Sequence, residues 1–232
     1  MERPIKFENN YEIINHPKVK GLQIVEGKEN FPISWLNQQG YCEYSLYLEY
    51  IKGIVAGPTE AMVVGDKEHK KLEDKFITGA REKGIKPTEL KDVLEISKEE
   101  KAISREVFVI APEIGIRGYI DEIWLTPEEF VIIDDKPGNI PYNSTINQVL
   151  AYALAFQSMI DDDRPIKVAL RERGTDNIFW SDEFDKHNQD KVKYLINRML
   201  GLFDGLKPFI PTKNKNKCKK CRFQSYCPHF TD

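Results

Sequence analysis

The residues able to do chemistry concentrate in one stretch. Gly118-Tyr119-Ile120-Asp121 is followed, across Thr126-Pro127-Glu128-Glu129, by a segment ending in Asp134-Asp135-Lys136. Read as two neighbouring strands, the alternation of side chains puts Asp134 and Lys136 on one face and turns Asp135 away. Pairing brings Asp121 to the same mouth. Phe130 to Ile133 is an unbroken apolar run, the pattern of a strand covered on both faces. Two carboxylates and a lysine thus converge where strands end, although such groups are seldom buried without partners. Oxygen ligands of this kind hold Mg²⁺ or Mn²⁺, which activates water and polarises a phosphate, while an ammonium offsets charge on the attacked group. The competing reading is a solvated charged pair, because Asp135-Lys136-Pro137-Gly138 is a good turn in its own right.

A second set is made of sulfur. Cys218, Cys221 and Cys227 form C-x2-C-x5-C, and Cys42 is the remaining cysteine of four. One distant and three clustered thiolates make a four-ligand site, for a cluster of iron and sulfide or for zinc. Lys213, Lys215, Lys217, Lys219, Lys220 and Arg222 crowd the same stretch with no acid among them. They form a solvated tail or a phosphate-contacting edge. The net charge of −3 gives no whole-chain attraction for nucleic acid, so any such contact is local.

Several elements must position these groups. A helix is expected over 34–51, capped by Ser34, with Trp35, Leu36, Cys42, Leu46, Tyr47 and Tyr50 on its apolar face. After Gly57-Pro58 a long helix over 60–83 carries Met62, Gly65, His69, Leu72 and Phe76 on one side, which turns His69 inward. A lone histidine so placed is usually a satisfied core residue. Residues 84–104 form a polar, partly helical excursion without assigned function. Strands over 106–110, 114–125 and 129–136 make a meander. The helix over 143–160, capped by Asn143 or Ser144, is apolar nearly all round, and its Gln148 and Tyr152 lie four apart on one face. Buried, they need partners, either structural or at the cleft. Asp161-Asp162-Asp163 reads as a solvated turn, then come a hairpin around Gly174 and a helix over 185–206. With 41% hydrophobic and 31% charged residues, the 232-residue chain reads as one α/β domain over 1–232. Segments 31–56 and 207–230 make its cysteine-bearing part. No apolar run reaches membrane-spanning length and Met1-Glu2-Arg3-Pro4 opens no signal peptide, so a cytoplasmic location is expected.

In chain order the set is Cys42, His69, Asp121, Asp134-x-Lys136, Gln148-x3-Tyr152 and Cys218-x2-Cys221-x5-Cys227. It resembles the RecB-like branch of the PD-(D/E)xK nucleases and, more narrowly, the iron–sulfur exonucleases associated with CRISPR arrays, the Cas-four family. D-x-K alone is common; the ordered combination, running from Trp35 to Cys227, is specific. The resemblance implies a restriction-endonuclease-like core, a mixed central sheet flanked by helices, with a C-terminal cysteine-ligated cluster joined to the N-terminal helix. It implies that His69, Asp121 and Asp134 hold Mg²⁺ or Mn²⁺ and that the Asp135 carbonyl completes the shell. Lys136 would position or activate the attacking water, and Gln148 and Tyr152 would orient the strand and the lysine. The four cysteines would hold [4Fe–4S], less often [2Fe–2S]. The implied activity is DNA cleavage favouring single-stranded ends, alongside integrase proteins in spacer acquisition. Two departures stand out: Asp135 replaces a usually apolar or aromatic residue, and Glu43-Tyr44 follows Cys42 where Pro-Arg is commoner. A RecB-like repair nuclease outside CRISPR, and a catalytically silent zinc-stabilised nucleic-acid-binding protein, are the other readings. The intact His69, Asp121, Asp134 and Lys136 argue against silence.

Overall fold

The meander forms as expected and is the centre of the sheet. Strand β6 (Ala102–Ala111) pairs antiparallel with β7 (Ile116–Leu125), which pairs antiparallel with β8 (Phe130–Lys136). Thr126 closes the β7–β8 turn by bonding Glu129 through backbone and hydroxyl. This computed structural model describes residues 1–8 and 10–230; the side chains of Glu60, Ala61, Met62 and Asp66 lie outside the described set.

Four short strands precede the meander: β1 (Ile5–Lys6), β2 (Ile13–Asn15), β3 (Gln23–Val25) and β4 (Lys28–Pro32). β4 joins β7 in parallel at Phe31↔Ile116 and carries β3 and β2 outward. On the other side β8 pairs in parallel with β9 (Ile166–Glu172), and β10 (Ile178–Glu183) closes the hairpin around Gly174. The mixed central sheet therefore runs β10-β9-β8-β7-β4-β3-β2, with β6 on the far edge of β7. The polar excursion contains β5 (Thr88–Glu89), which pairs with β1, and helix α4 (Leu90–Ile96).

The first helical stretch departs from expectation. Helix α1 (Ser34–Tyr41) begins after Ile33, with Ser34 already inside it, and stops at Cys42, whose φ of −169° and ψ of 113° are extended. α2 (Glu43–Leu46) and a π-helical turn (Tyr47–Ile51) follow. Cys42 thus sits at a break and not on a continuous apolar face, which frees its sulfur to leave the core. Helix α3 (Glu60–Glu82) is long, as expected. Helix α5 (Asn143–Met159) follows Tyr142 as N-cap and is buried at Thr145 and from Asn147 to Phe156, with α1 and α6 (Lys186–Phe203) packed on it. Phe156 is fully buried edge-on to Phe130 at 5.3 Å. Truncating such a side chain to alanine costs about 3–5 kcal/mol. Among the described residues a second, small apolar cluster, Val131, Ile133 and Ala169, packs with Trp124. Asp162 is not merely solvated: it pairs with Arg164 at 2.7 Å, and Arg164 bonds Ser97 O and Thr126 O.

Candidate active site

The cleft opens where the sheet forks. β7 and β8 pair only as far as Glu122↔Ile133, beyond which Asp134, Asp135 and Lys136 pair with β9 alone. Asp121 bridges the fork, its Oδ2 accepting the freed Asp135 N–H at 2.6 Å. As alternation requires, Lys136 Nζ lies 2.6 Å from Asp134 Oδ2 while Asp135 faces the other way. Gln148 Oε1 accepts from Lys136 Nζ at 3.0 Å, and Gln148 Nε2 donates to the Tyr152 hydroxyl at 3.2 Å. Gly118 makes room for this relay: a Cβ there would stand 2.8 Å from Tyr152 Cε1. Burial, then the charges of Asp134 and Asp121, push the Tyr152 phenol well above its usual range, so it stays a neutral hydroxyl.

His69 does turn inward from α3. Its Nδ1 lies 3.6 Å from both Glu106 Oε1 and Asp121 Oδ1, and its Nε2 lies 2.8 Å from Arg173 Nη2. The facing Glu106 carboxylate, opposed by burial but helped by Asp121, raises the His69 pKa against the Arg173 charge. Burial first, and the charge of Asp134 second, push the Asp121 carboxyl well above the usual carboxylate range.

Glu106 was not expected here. Pairing of β6 with β7 runs to Arg105↔Glu122 and resumes at Val107↔Ile120, and Glu106 takes φ +49° between them. The left-handed conformation costs a non-glycine residue about 1–2 kcal/mol. It interrupts the ladder opposite Asp121, at the kind of irregularity that re-aims side chains beside active sites. No sequence pattern announces it; an acid directly before an apolar run, Val107 to Ala111, is the only signal. His69, Glu106 and Asp121 bring one ligand atom each within 4.8 Å of one another. Glu106 Oε1 and Asp134 Oδ2 are buried and accept no hydrogen bond, the Lys136 contact being off the direction one requires. A buried carboxylate oxygen without a donor, in a group of two carboxylates and an imidazole, suits a divalent cation, so the residues fit a metal.

The face of β8 away from the cleft answers the Asp135 departure. Arg171 and Arg105 pair there with Asp135 and Glu122, all four nearly out of solvent. Burial opposes ionisation of both carboxylates, but the bonds from Arg171 and Arg105 outweigh it and hold both below their usual values.

The four cysteines line one cavity between α1, α2 and the C-terminal segment. Their thiols are free, and burial, then the negative charge of the other three, push Cys221 upward. Tyr41 beside them is pushed up to about 12, by burial and then by Cys221, Cys218 and Cys42. The second departure is explained too: Glu43 pairs with Arg198 and accepts from Ile210 N, tying α2 to α6 and the tail. Of the basic residues, Lys217 bonds Gly40 O and Arg222 pairs with Glu49, so both anchor the tail. Lys213, Lys215, Lys219 and Lys220 are exposed.

Among the described residues, no helix is long and apolar enough to cross a membrane. No curated protein matches the chain. Among solved structures it is similar to a provisionally assigned exonuclease from Eubacterium rectale, at 13% identity and a TM-score of 0.49, covering 88% of this chain and 90% of that one. It is also similar to SSO0001, at 14% identity and a TM-score of 0.39 over 88% of each chain. A family model described as the PD-(D/E)XK nuclease superfamily matches residues 59–228. That span takes in α3, the meander and α5, every element that builds the cleft, and the chain belongs to the PD-(D/E)XK nuclease superfamily.

Proposed function

We propose that this protein is a Mg²⁺- or Mn²⁺-dependent deoxyribonuclease that acts as an exonuclease on single-stranded ends. The observation that carries this is the convergence of His69, Glu106 and Asp121, with Glu106 Oε1 buried and without a hydrogen bond, beside an Asp134 that meets Lys136. His69, Glu106 and Asp121 would hold the cation, with Asp134 and the Asp135 carbonyl at its edge. A bound divalent ion supplies charge stabilisation and a more acidic water. Lys136, held between Asp134 and Gln148, offsets charge on the attacked phosphate. Gln148 fixes the ammonium and Tyr152 fixes Gln148.

A path for the strand is supported by α5, which presents Gln148 and Tyr152 to the lysine and its N-terminus to a groove. Gly40, Tyr142, Asn143, Ser144, Lys217 and Lys220 line that groove. Backbone N–H groups at a helix start and two ammonium groups suit a phosphate backbone. Lys213, Lys215 and Lys219 extend the basic edge, and Arg222 braces it.

The four cysteines are read as ligands of a [4Fe–4S] cluster, with a structural role. All four line one cavity, which supports a shared site. Segments 31–56 and 207–230 then belong to the same single domain as the cleft. A place in CRISPR spacer acquisition beside integrase proteins, in the cytoplasm, rests on the ordered motif set; neighbouring genes would separate it from repair.

The test is incubation of purified protein with end-labelled single- and double-stranded DNA in Mn²⁺, Mg²⁺ or EDTA. Metal-dependent shortening of single strands is expected, with Asp121→Ala inactive and Lys136→Ala slower by roughly 10²–10³. Cleavage that survives EDTA, or full activity of Asp121→Ala, overturns the reading.

A further inference from the structure

Arg173, at the end of β9, contributes to the cleft without belonging to any motif. Its backbone N–H bonds Lys136 O at 2.9 Å, which places it at the mouth of the D-x-K strand. Its side chain is 9% exposed, and its Nη2 reaches His69 Nε2 at 2.8 Å and Asp135 O at 3.1 Å. These are atoms of the two groups a cation in this cleft would use. A guanidinium has only donors, so Nε2 must accept with its lone pair. The neutral ring then carries its proton on Nδ1, the nitrogen that faces Glu106 and Asp121. In this arrangement neither nitrogen of His69 can ligate a metal. The positive charge of Arg173, which already acts on His69, also opposes entry of a second cation there.

The place of Arg173 is prepared by α3. Gly65 lies four residues before His69 and hence on the same face, and a Cβ there would stand 3.0 Å from Arg173 Nη1 and 3.8 Å from its Cζ. Glycine inside a helix costs about 1 kcal/mol relative to alanine, and the space it leaves is the space the guanidinium takes. Arg173 Nε is buried and unbonded, and Glu68 lies 3.7 Å from Nη1, too far for a hydrogen bond. Its bonds to His69 and Asp135 are therefore its main hold.

We propose that Arg173 is displaced by the metal: it caps His69 and the Asp135 carbonyl until the cation enters, and then turns to the phosphodiester of the strand being cut. The released guanidinium, beside Lys136, is a two-pronged donor suited to a phosphate oxygen pair. This rests on the metal-dependent reading above and adds a residue to it.

The test measures Mn²⁺ affinity by paramagnetic resonance and calorimetry for wild type, Arg173→Met, Arg173→Lys and His69→Ala, after melting curves confirm that each variant folds. Arg173→Met should bind Mn²⁺ about tenfold or more tightly, Arg173→Lys should lie between it and wild type, and His69→Ala should bind weakly. A residue that merely braced His69 would give the opposite sign. With Ca²⁺ present, a labelled single-stranded oligonucleotide should bind Arg173→Met about tenfold more weakly than wild type, a difference that disappears in EDTA. Unchanged or weakened Mn²⁺ affinity in Arg173→Met, with His69→Ala still defective, overturns the proposal alone. Unchanged oligonucleotide affinity in Ca²⁺ overturns its phosphate-binding half. Absence of Mn²⁺ binding in every protein overturns the metal reading and the proposal with it.

Discussion

Asp135 and Arg171 are joined by two hydrogen bonds, Nε to Oδ1 at 2.8 Å and Nη2 to Oδ2 at 3.1 Å, on the face of β8 away from the cleft. Arg171 also bonds both oxygens of Glu122, at 2.8 and 3.0 Å. This pairing holds the strand that carries Asp134 and Lys136. Removing one partner of a buried pair leaves an uncompensated charge and costs roughly 3–5 kcal/mol. Arg171→Leu should lose stability toward the lower end, because Arg105 still faces both acids. Urea denaturation in EDTA measures it, and a loss below about 1 kcal/mol would refute the account.

The same network sets an acid limit. Asp135 and Glu122 both have folded-state values below their unfolded ones. Their stabilisation is complete above the unfolded values, near pH 4–5, and is lost as pH falls through the lowered folded values. Stability should decline steeply below about pH 4, and Arg171→Leu should flatten that decline. Parallel acid profiles for the two proteins would contradict this.

Asp121 works with the opposite sign. Its folded value is raised, by burial and then by Asp134, so it counts against the fold as pH rises from its unfolded value through its folded one. Asp121→Asn keeps an oxygen for the Asp135 N–H and removes the charge. In EDTA at neutral pH the variant should be more stable by on the order of 1 kcal/mol, with no gain below about pH 4. It should also lose any Mn²⁺-induced rise in Tm. Thermal and urea unfolding at the two pH values check both halves.

Gly118 and Tyr152 touch across the β7–α5 interface, so a methyl at 118 must displace the phenol. Gly118→Ala should loosen the Tyr152–Gln148–Lys136 relay and lower kcat by about 10-fold or more, with little change in metal affinity. Gln148→Leu should do the same more strongly, since Lys136 then keeps only Asp134. Equal kcat for wild type and Gln148→Leu would remove the relay from the mechanism.

For the cysteines, protein prepared without oxygen should be brown and contain iron and acid-labile sulfide near one cluster per chain. Cys42→Ser should lower Tm and lose the colour, while Asp134→Ala should keep it. The tail should not detach fully in Cys42→Ser, because Glu43–Arg198, Glu49–Arg222 and Lys217–Gly40 still hold it. Colourless wild-type protein with one zinc would rule the cluster out.

The local order of the chain already determined much of this protein. Strand alternation placed Asp134 and Lys136 together and turned Asp135 away, because a period of two needs no knowledge of partners. Helical spacing likewise turned His69 inward and aligned Gln148 with Tyr152. The meander and its turn were legible for the same reason. What the tertiary structure decided are relationships that no period encodes. Glu106 meets His69 and Asp121 because the β6–β7 ladder is interrupted opposite Asp121, where Glu106 takes φ +49°, and because α3 docks over that point. Cys42 leaves its helix because the tail meets it from 170 residues away, where Thr212 N–H bonds its sulfur at 3.3 Å. Asp135 is tolerated because Arg105 and Arg171, on two other strands, neutralise it out of water, and Arg173 reaches His69 only once the β9–β10 hairpin is docked. Periodicity reports how a segment alternates; which charge meets which across the sheet is settled only when strands pair and water leaves.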